Sequence, residues 1–156
     1  VMLGDILKGV IAVIIAGIIF DEMGSFGGIG KMSAASAAIV GHIFPLYFGF
    51  KGGKGILTAA AVFGVFDVRV LAIILGTFIV VVLICKYVSL ASICGAAMLP
   101  VAIGSFYGFT SAFFIIGFCT AALVIFMHRE NIKRIYNGTE SKISFSKKSK
   151  EDKENK

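Results

Sequence analysis

Between two apolar runs lies a stretch with unusual chemical capacity: Gly41-His42-Ile43-Phe44-Pro45-Leu46-Tyr47-Phe48-Gly49-Phe50-Lys51-Gly52-Gly53-Lys54-Gly55. Glycines 52, 53 and 55 allow the backbone to turn and expose its N–H groups. Lys51 and Lys54 add positive charge to the same loop. Consecutive exposed N–H groups beside ammonium groups form an anion site, and phosphate is the usual anion. Phe44, Tyr47, Phe48 and Phe50 place this loop at a membrane surface, where aromatic side chains collect. A turn whose lysines serve only to set topology explains Lys51 and Lys54 but not three glycines in four positions. The loop is not a Walker A motif, because Phe48 stands at the first-glycine position and Gly55 follows Lys54 in place of Ser or Thr.

Three further groups carry candidate chemistry. His42, beside Pro45, is more commonly a structural histidine bonded to backbone, with a place in a binding site as the lesser reading. Ser89 and Ser92 stand three apart, so both hydroxyls share one helix face. Ser89 as an N-cap is the plain explanation, and phosphate binding at that helix N-terminus is the functional one. His128 and Asn131 repeat the spacing just beyond the last apolar run, interleaved with Arg129, Glu130, Lys133 and Arg134. The basic residues are ordinary anchors after a membrane segment, whereas the His–Asn pair and the following Asn137-Gly138-Thr139-Glu140 need another reason. His128 suits a general base, or a phosphate ligand when protonated. No His-x4-Asp acyltransferase motif occurs, since Tyr47 and Lys133 occupy the decisive positions, and no Gly-x-Ser-x-Gly elbow is present. Clustered carboxylates able to hold a divalent metal are absent, so a metal-dependent lipid phosphotransferase is not expected, and no cofactor is called for.

The elements that must position these groups are membrane helices. Of 156 residues 58% are hydrophobic, and the mean hydropathy is +0.95, above the roughly 45–50% apolar share of soluble domains. Six apolar segments are expected at Ile6–Phe20, Met32–Phe50, Gly55–Phe66, Val70–Cys85, Leu90–Ser105 and Ser111–Met127. Several fall short of the roughly 20 residues that span a bilayer, and short, glycine-interrupted segments beside polar loops mark membrane binding sites. If all six cross, the loops alternate sides, and only Lys31 and Arg69 are basic on the second side. The other thirteen Lys and Arg, or seven without the tail, lie on the first, which the positive-inside rule makes cytoplasmic. Asp5/Lys8, the Lys51–Gly55 loop, Ser89/Ser92 and His128–Glu140 all fall there, so one site built from several helix ends is expected. Residues 1–140 thus form a membrane domain, and 141–156 a polar, disordered cytoplasmic tail rich in Lys, Ser and Glu. Six of the fifteen basic residues lie in that tail, so the net charge of +6 does not define a nucleic-acid-binding face. Cys85, Cys94 and Cys119 lie in apolar runs without metal or redox spacing and read as small buried hydrophobes.

Taken in order, Asp5-Ile6-Leu7-Lys8-Gly9, Gly41-His42-Ile43-Phe44-Pro45, Phe50-Lys51-Gly52-Gly53-Lys54-Gly55, Ser89-Leu90-Ala91-Ser92-Ile93 and His128-Arg129-Glu130-Asn131-Ile132-Lys133-Arg134 with Gly138-Thr139-Glu140 resemble the bacterial acyl-phosphate:glycerol-3-phosphate acyltransferases, the PlsY family. The likeness covers the chain except its tail. It implies an all-α, polytopic bundle of seven helices in the bacterial inner membrane, with the site and the C-terminus on the cytoplasmic side. It implies acyl transfer from acyl phosphate to glycerol 3-phosphate, giving lysophosphatidic acid without metal or acyl-CoA. Lys51, Gly52, Gly53, Lys54 and Gly55 would hold the glycerol phosphate, with Ser89 and His42 also on the binding side. Ser92 (or Ser89), His128 and Asn131 would line the reacting centre, with His128 or a substrate phosphate as the base. The family's first motif, a Gly-Ser-Gly-Asn…Gly-Ala-Thr-Asn loop, and its first helix have no counterpart here, and the chain starts at Val1, which together suggest an N-terminally truncated member. Leu57 replaces the usual Ala before Thr58. A small transporter or channel for a phosphorylated anion is the alternative, disfavoured by apolar segments nearly free of charge. The partners implied are both phosphate substrates and membrane lipid, without nucleic acid; oligomeric state is left open.

Overall fold

The computed structural model describes residues 2–20, 25–45 and 52–143. Among them the fold is all-α, with α1 (Met2–Phe20), α2 (Ser25–Ile43), α3 (Ile56–Phe66), α4 (Val68–Cys85), α5 (Val88–Tyr107), α6 (Ala112–Met127) and α7 (Arg129–Tyr136). Helices are the expected outcome for such apolar sequence, because in lipid every backbone polar group must be satisfied within its own segment.

Each connector has a local cause. The second helix lies seven residues earlier than its apolar run suggested, ending at Ile43 instead of continuing to Phe50. Pro45 biases the residue before it away from the helical region, and the hydrophobicity of the aromatic run misled the sequence boundary. Gly55, at φ 78°, turns the chain into α3. Asp67 breaks α3 from α4 in extended geometry, and its carboxylate accepts the Arg69 N–H at 2.8 Å as the cap of α4. The same carboxylate accepts from the Arg69 guanidinium and the Tyr107 hydroxyl, each at 2.8 Å, which ties the α3–α4 corner to the end of α5. Lys86 and Tyr87 form the short α4–α5 turn, and Ser111 caps α6 by accepting from Phe114 N–H.

α1 packs on α2 and α3, α2 on α3 and α6, α4 between α3 and α5, and α5 on α6. Met32, Ile39, Phe63, Ile103 and Val124 bring four helices into one buried core. Within it the Thr120 hydroxyl is bonded to the Ile116 carbonyl at 2.8 Å and to the Ser36 hydroxyl at 2.9 Å. Having one proton, it donates to the carbonyl and accepts from Ser36, pinning α6 to α2.

Among the described residues, α4 and α5 are long and apolar enough to cross a bilayer. α6 and α7 qualify as a third crossing only when taken together across their 54° bend. α3 has 11 residues and so extends about 16 Å, about half a hydrocarbon core. The six apolar segments therefore exist as helices, and among the described residues two or three are both long and apolar enough for a full span. The short α3 matters for the site because it places the Lys54 loop and the Asp67 corner at opposite ends of one brief helix.

Candidate functional site

A cavity of about 680 Å³ opens where the ends of α2, α3, α5, α6 and α7 meet. Its wall contains His42 from α2, Lys54 and Thr58 around the start of α3, Ser89 and Ser92 from α5, and His128 between α6 and α7. Asn131 and Arg134 of α7 complete it, with Glu140 and Ser141 from the segment beyond. Neither α3 nor α5 has a side-chain cap at its N-terminus. Their first-turn N–H groups thus lack intrahelical acceptors, and Gly55–Thr58 and Val88–Ser89 line the cavity. Two helix N-termini with Lys54 and Arg134 alongside make this a place for phosphate.

Buried polar atoms show where a ligand is wanted. Thr58 Oγ1 and Asn131 Oδ1 are buried with no hydrogen-bond partner among the described residues, and the buried Ser89 hydroxyl has the Glu140 carboxylate beside it. Such atoms are costly unless something else satisfies them. Thr77 and Thr120 donate back to the carbonyl one turn earlier, as helical threonines often do. Thr58 does not, and its hydroxyl is left for the cavity.

His128 and Asn131 sit at the α6–α7 bend for distinct reasons. His128 is buried, and its Nδ1 lies 2.8 Å from the Val124 carbonyl one turn back. That contact requires Nδ1 to carry the proton, leaving Nε2 as a lone-pair acceptor. Burial pushes the imidazole below its ordinary value of 6.5, and the positive charge of Lys54 pushes the same way against the Val124 bond and Glu140. The neutral ring is therefore the resting form near neutral pH. Asn131 donates its amide N–H to Glu140 Oε1 at 2.7 Å, and Arg134 Nε donates to Glu140 Oε2 at 2.7 Å. Held so, Asn131 turns its unsatisfied carbonyl oxygen loose for a donor. The Asn131 amide, then the nearby Ser89 hydroxyl and Arg134, hold the Glu140 carboxyl down to about 2.

The glycines of the loop have a steric reason beyond phosphate. A Cβ on Gly52 would strike the His42 carbonyl, and one on Gly53 would strike the His42 imidazole Nε2. Gly52 N–H donates to the Ile43 carbonyl at 3.2 Å, so it is committed to folding the loop onto the end of α2. Glycine density alone thus overstated the number of free N–H groups. His42 is the surface that Gly53 packs against, and it also lines the cavity. Lys51 lies outside the described residues, as do the side chains of Asp5 and Lys8.

A second, apolar cavity of about 150 Å³ runs between α3, α4, α5 and α6. It shares Ile56, Leu57, Phe78 and Ser92 with the polar one, so Ser92 stands at the junction. Gly95, Ala96 and Ala121 give it width.

His42, Lys54, Gly55, Ser89, Ser92, His128 and Asn131 therefore line one cavity, whereas Gly52 and Gly53 are not on its wall. Two readings change. Ser89 is not the N-cap of α5, which is Tyr87. Arg134 is not a bare membrane anchor, since it reaches Glu140 and the cavity, whereas Arg129 bonds to the Phe126 carbonyl and stacks on its ring, and Lys133 pairs with Glu130. Thr58 and Glu140 join the site. Thr58 stands one helical turn after Lys54, a spacing that flags it in hindsight.

Residues 1–138 match the family model for glycerol-3-phosphate acyltransferase. The chain belongs to that family. The acyltransferase is 39% identical over 142 residues to the glycerol-3-phosphate acyltransferase of Syntrophomonas wolfei, covering 91% of this chain and 69% of the relative. It is 36% identical over 176 residues to that of Chlorobaculum tepidum, covering 95% and 75%. Its structure is similar to the crystal structure of PlsY, an integral membrane glycerol 3-phosphate acyltransferase, in its glycerol 3-phosphate form. The TM-score is 0.79 at 31% identity, over 92% of this chain and 69% of that one. The acyltransferase is thus an integral membrane enzyme of phospholipid synthesis.

Proposed function

We propose that this enzyme takes its acyl group from acyl phosphate and passes it to a hydroxyl of glycerol 3-phosphate, giving lysophosphatidic acid and inorganic phosphate. The observation that carries the reading is the convergence of Lys54, Ser89, His128 and Asn131, far apart in sequence, on one cavity that adjoins an apolar one. Both substrates carry phosphate, which suits two uncapped helix N-termini with Lys54 and Arg134. The acyl tail would occupy the apolar cavity, with Ser92 at the carbonyl.

Acyl phosphate is an activated mixed anhydride, so no protein nucleophile is required. The substrate hydroxyl oxygen attacks the acyl carbon, the bond from that carbon to the phosphate oxygen breaks, and phosphate leaves with the electron pair. His128 Nε2 accepts the hydroxyl proton, a role favoured by its neutral ring and its Nδ1 anchor. Asn131 Oδ1 orients the attacking hydroxyl, and the cations stabilise the departing phosphate; positioning and charge stabilisation supply most of the rate. Lys51, Lys54, Gly53 and Gly55 form the acceptor's phosphate loop in this scheme, with Gly52 as its fold point and His42 as its support. We place the cavity on the cytoplasmic side of a bacterial inner membrane, supported by the excess of basic residues on that side. The membrane domain runs a little past the expected boundary at residue 140, since Ser141 lines the cavity and Ile143 N–H donates to the Lys86 carbonyl, and the rest acts as a polar tail.

The decisive assay uses purified protein in detergent with glycerol 3-phosphate, comparing acyl phosphate with acyl-CoA. Turnover with acyl phosphate alone is expected; turnover with acyl-CoA alone rejects the reading.

A further inference from the structure

Glu140 organises both Asn131 and Arg134, yet it lies beyond the last helix on a segment with no secondary structure of its own. What holds that segment is visible at its two ends. At the near end Gly138, at φ 68°, turns the chain back, and the N–H groups of Thr139 and Glu140 donate to the Arg134 carbonyl at 2.8 and 3.2 Å. At the far end the Ile143 N–H donates to the Lys86 carbonyl at 2.9 Å. One residue earlier, the Lys142 ammonium stands 5.1 Å from the Tyr87 ring centroid, within cation–π range.

The receiving turn is shaped for this. Among the described residues Lys86 is the one non-glycine residue at positive φ, 61°. A side chain seldom adopts that conformation unless its surroundings demand it. Lys86 N–H closes α4 on the Val82 carbonyl, while its own carbonyl faces outward to Ile143. Tyr87 is at once the N-cap of α5, the helix carrying Ser89 and Ser92, and the ring beneath Lys142. Segment 138–143 therefore runs as a strap from α7 to the α4–α5 turn, with Glu140 and Ser141 on the cavity wall between its anchors.

We propose that this clasp sets the position of Glu140, making Tyr87, Lys142 and Ile143 positioning residues for the reaction. Lys142 and Ile143 hold the strap, the strap holds the Glu140 carboxylate, and the carboxylate aims Asn131 Oδ1 and Arg134. The turn between α4 and α5 thereby fixes two sides of the cavity at once. The kinetic half of this inference rests on the acyltransferase reading of the cavity; the structural half does not.

The test uses the full chain in detergent with two readouts. Ile143→Pro removes the donor, Lys142→Gln the cation and Tyr87→Leu the ring, while Lys142→Arg and Tyr87→Phe keep them. Amide hydrogen exchange across residues 139–143 is expected to quicken about tenfold in the first three variants and to stay near the parent rate in the last two. In the same three, kcat/KM for glycerol 3-phosphate falls by about tenfold, the loss typical of one charged hydrogen bond misplaced. The discriminating measurement is a double-mutant cycle: in a Glu140→Gln background the clasp substitutions should have no further kinetic effect. Additive losses in that background, or unchanged exchange in Ile143→Pro, overturn the proposal. A parent chain that transfers no acyl group rejects the function proposed above, while the exchange arm still decides whether the clasp exists.

Discussion

The imidazole of His128 and the hydroxyl of Thr58 are each held in a state that water would not leave them in. Because burial and Lys54 depress the His128 pKa, its neutral form persists below the ordinary 6.5 and is lost only as pH falls through the lowered value. The acid limb of kcat/KM is therefore expected below pH 6.5. An NMR titration of the His128 ring in Lys54→Met should move upward, since a repelling charge is gone; an unchanged midpoint would mean the two are not coupled. Thr58→Val keeps the shape and removes the hydroxyl. It should raise the glycerol 3-phosphate KM about tenfold, in line with one lost buried hydrogen bond, while Thr58→Ser stays near the parent. Equal behaviour of Val and Ser at this position would relegate Thr58 to packing. Glu140 titrates far below the ordinary carboxyl value, so in the folded protein it stays ionised and bonded to Asn131 and Arg134 as the pH falls from 4.5 toward about 2. Any stability it contributes is lost in that same window, and Glu140→Gln should flatten the fall in melting temperature there.

Two breaks between helices do separable jobs. The loop before α3 is built on glycines because the His42 carbonyl and ring leave no room for a Cβ at Gly52 and Gly53. Gly52→Ala meets rigid backbone and should displace the whole loop, costing acceptor binding and stability together. Gly53→Ala meets a side chain that can rotate, so the damage should be smaller. A thermal melt and a KM measurement on both variants check that order. At the other end of α3, Asp67 caps α4 and accepts from Tyr107. Loss of a cap costs about 1 kcal/mol, so Asp67→Ala should lower the melting temperature. Its KM for glycerol 3-phosphate should remain at the parent value, because the corner lies a full helix away from the cavity.

For the molecule as a whole, the joined polar and apolar cavities predict how one substrate lies across it. Ala121 lines the apolar cavity from α6. Ala121→Leu would fill part of the space with about three more carbon-sized groups, an overpacking cost of about 1–3 kcal/mol if nothing else yields. The expected result is a shift toward shorter acyl donors, read by comparing kcat/KM across a series of acyl phosphate chain lengths. No shift would place the tail outside this cavity.

Composition and the continuous apolar runs pointed to the all-α membrane class, because in lipid such a run satisfies its own backbone as a helix. The motif order from Lys51 to Glu140 pointed to the acyltransferase family before any contact was known. Local spacing also identified His128 and Asn131, since i and i+3 on a helix are neighbours whatever the fold. It misjudged α2, where aromatic residues extended the apolar run past the proline that ends the helix. Ser89 looked like a cap because the sequence does not show which residue leaves the helical region first. Thr58 was passed over, and the contacts of Arg134 and Glu140 within their motif were hidden, for a different reason: each gains its meaning from a partner or a space that tertiary packing supplies. Sequence determined which groups are available and how neighbours within one helix face each other. Only packing decided which hydroxyls were left unsatisfied, which carboxylate aims the asparagine and which distant turn holds it, since burial and long-range contact are properties of the assembled bundle.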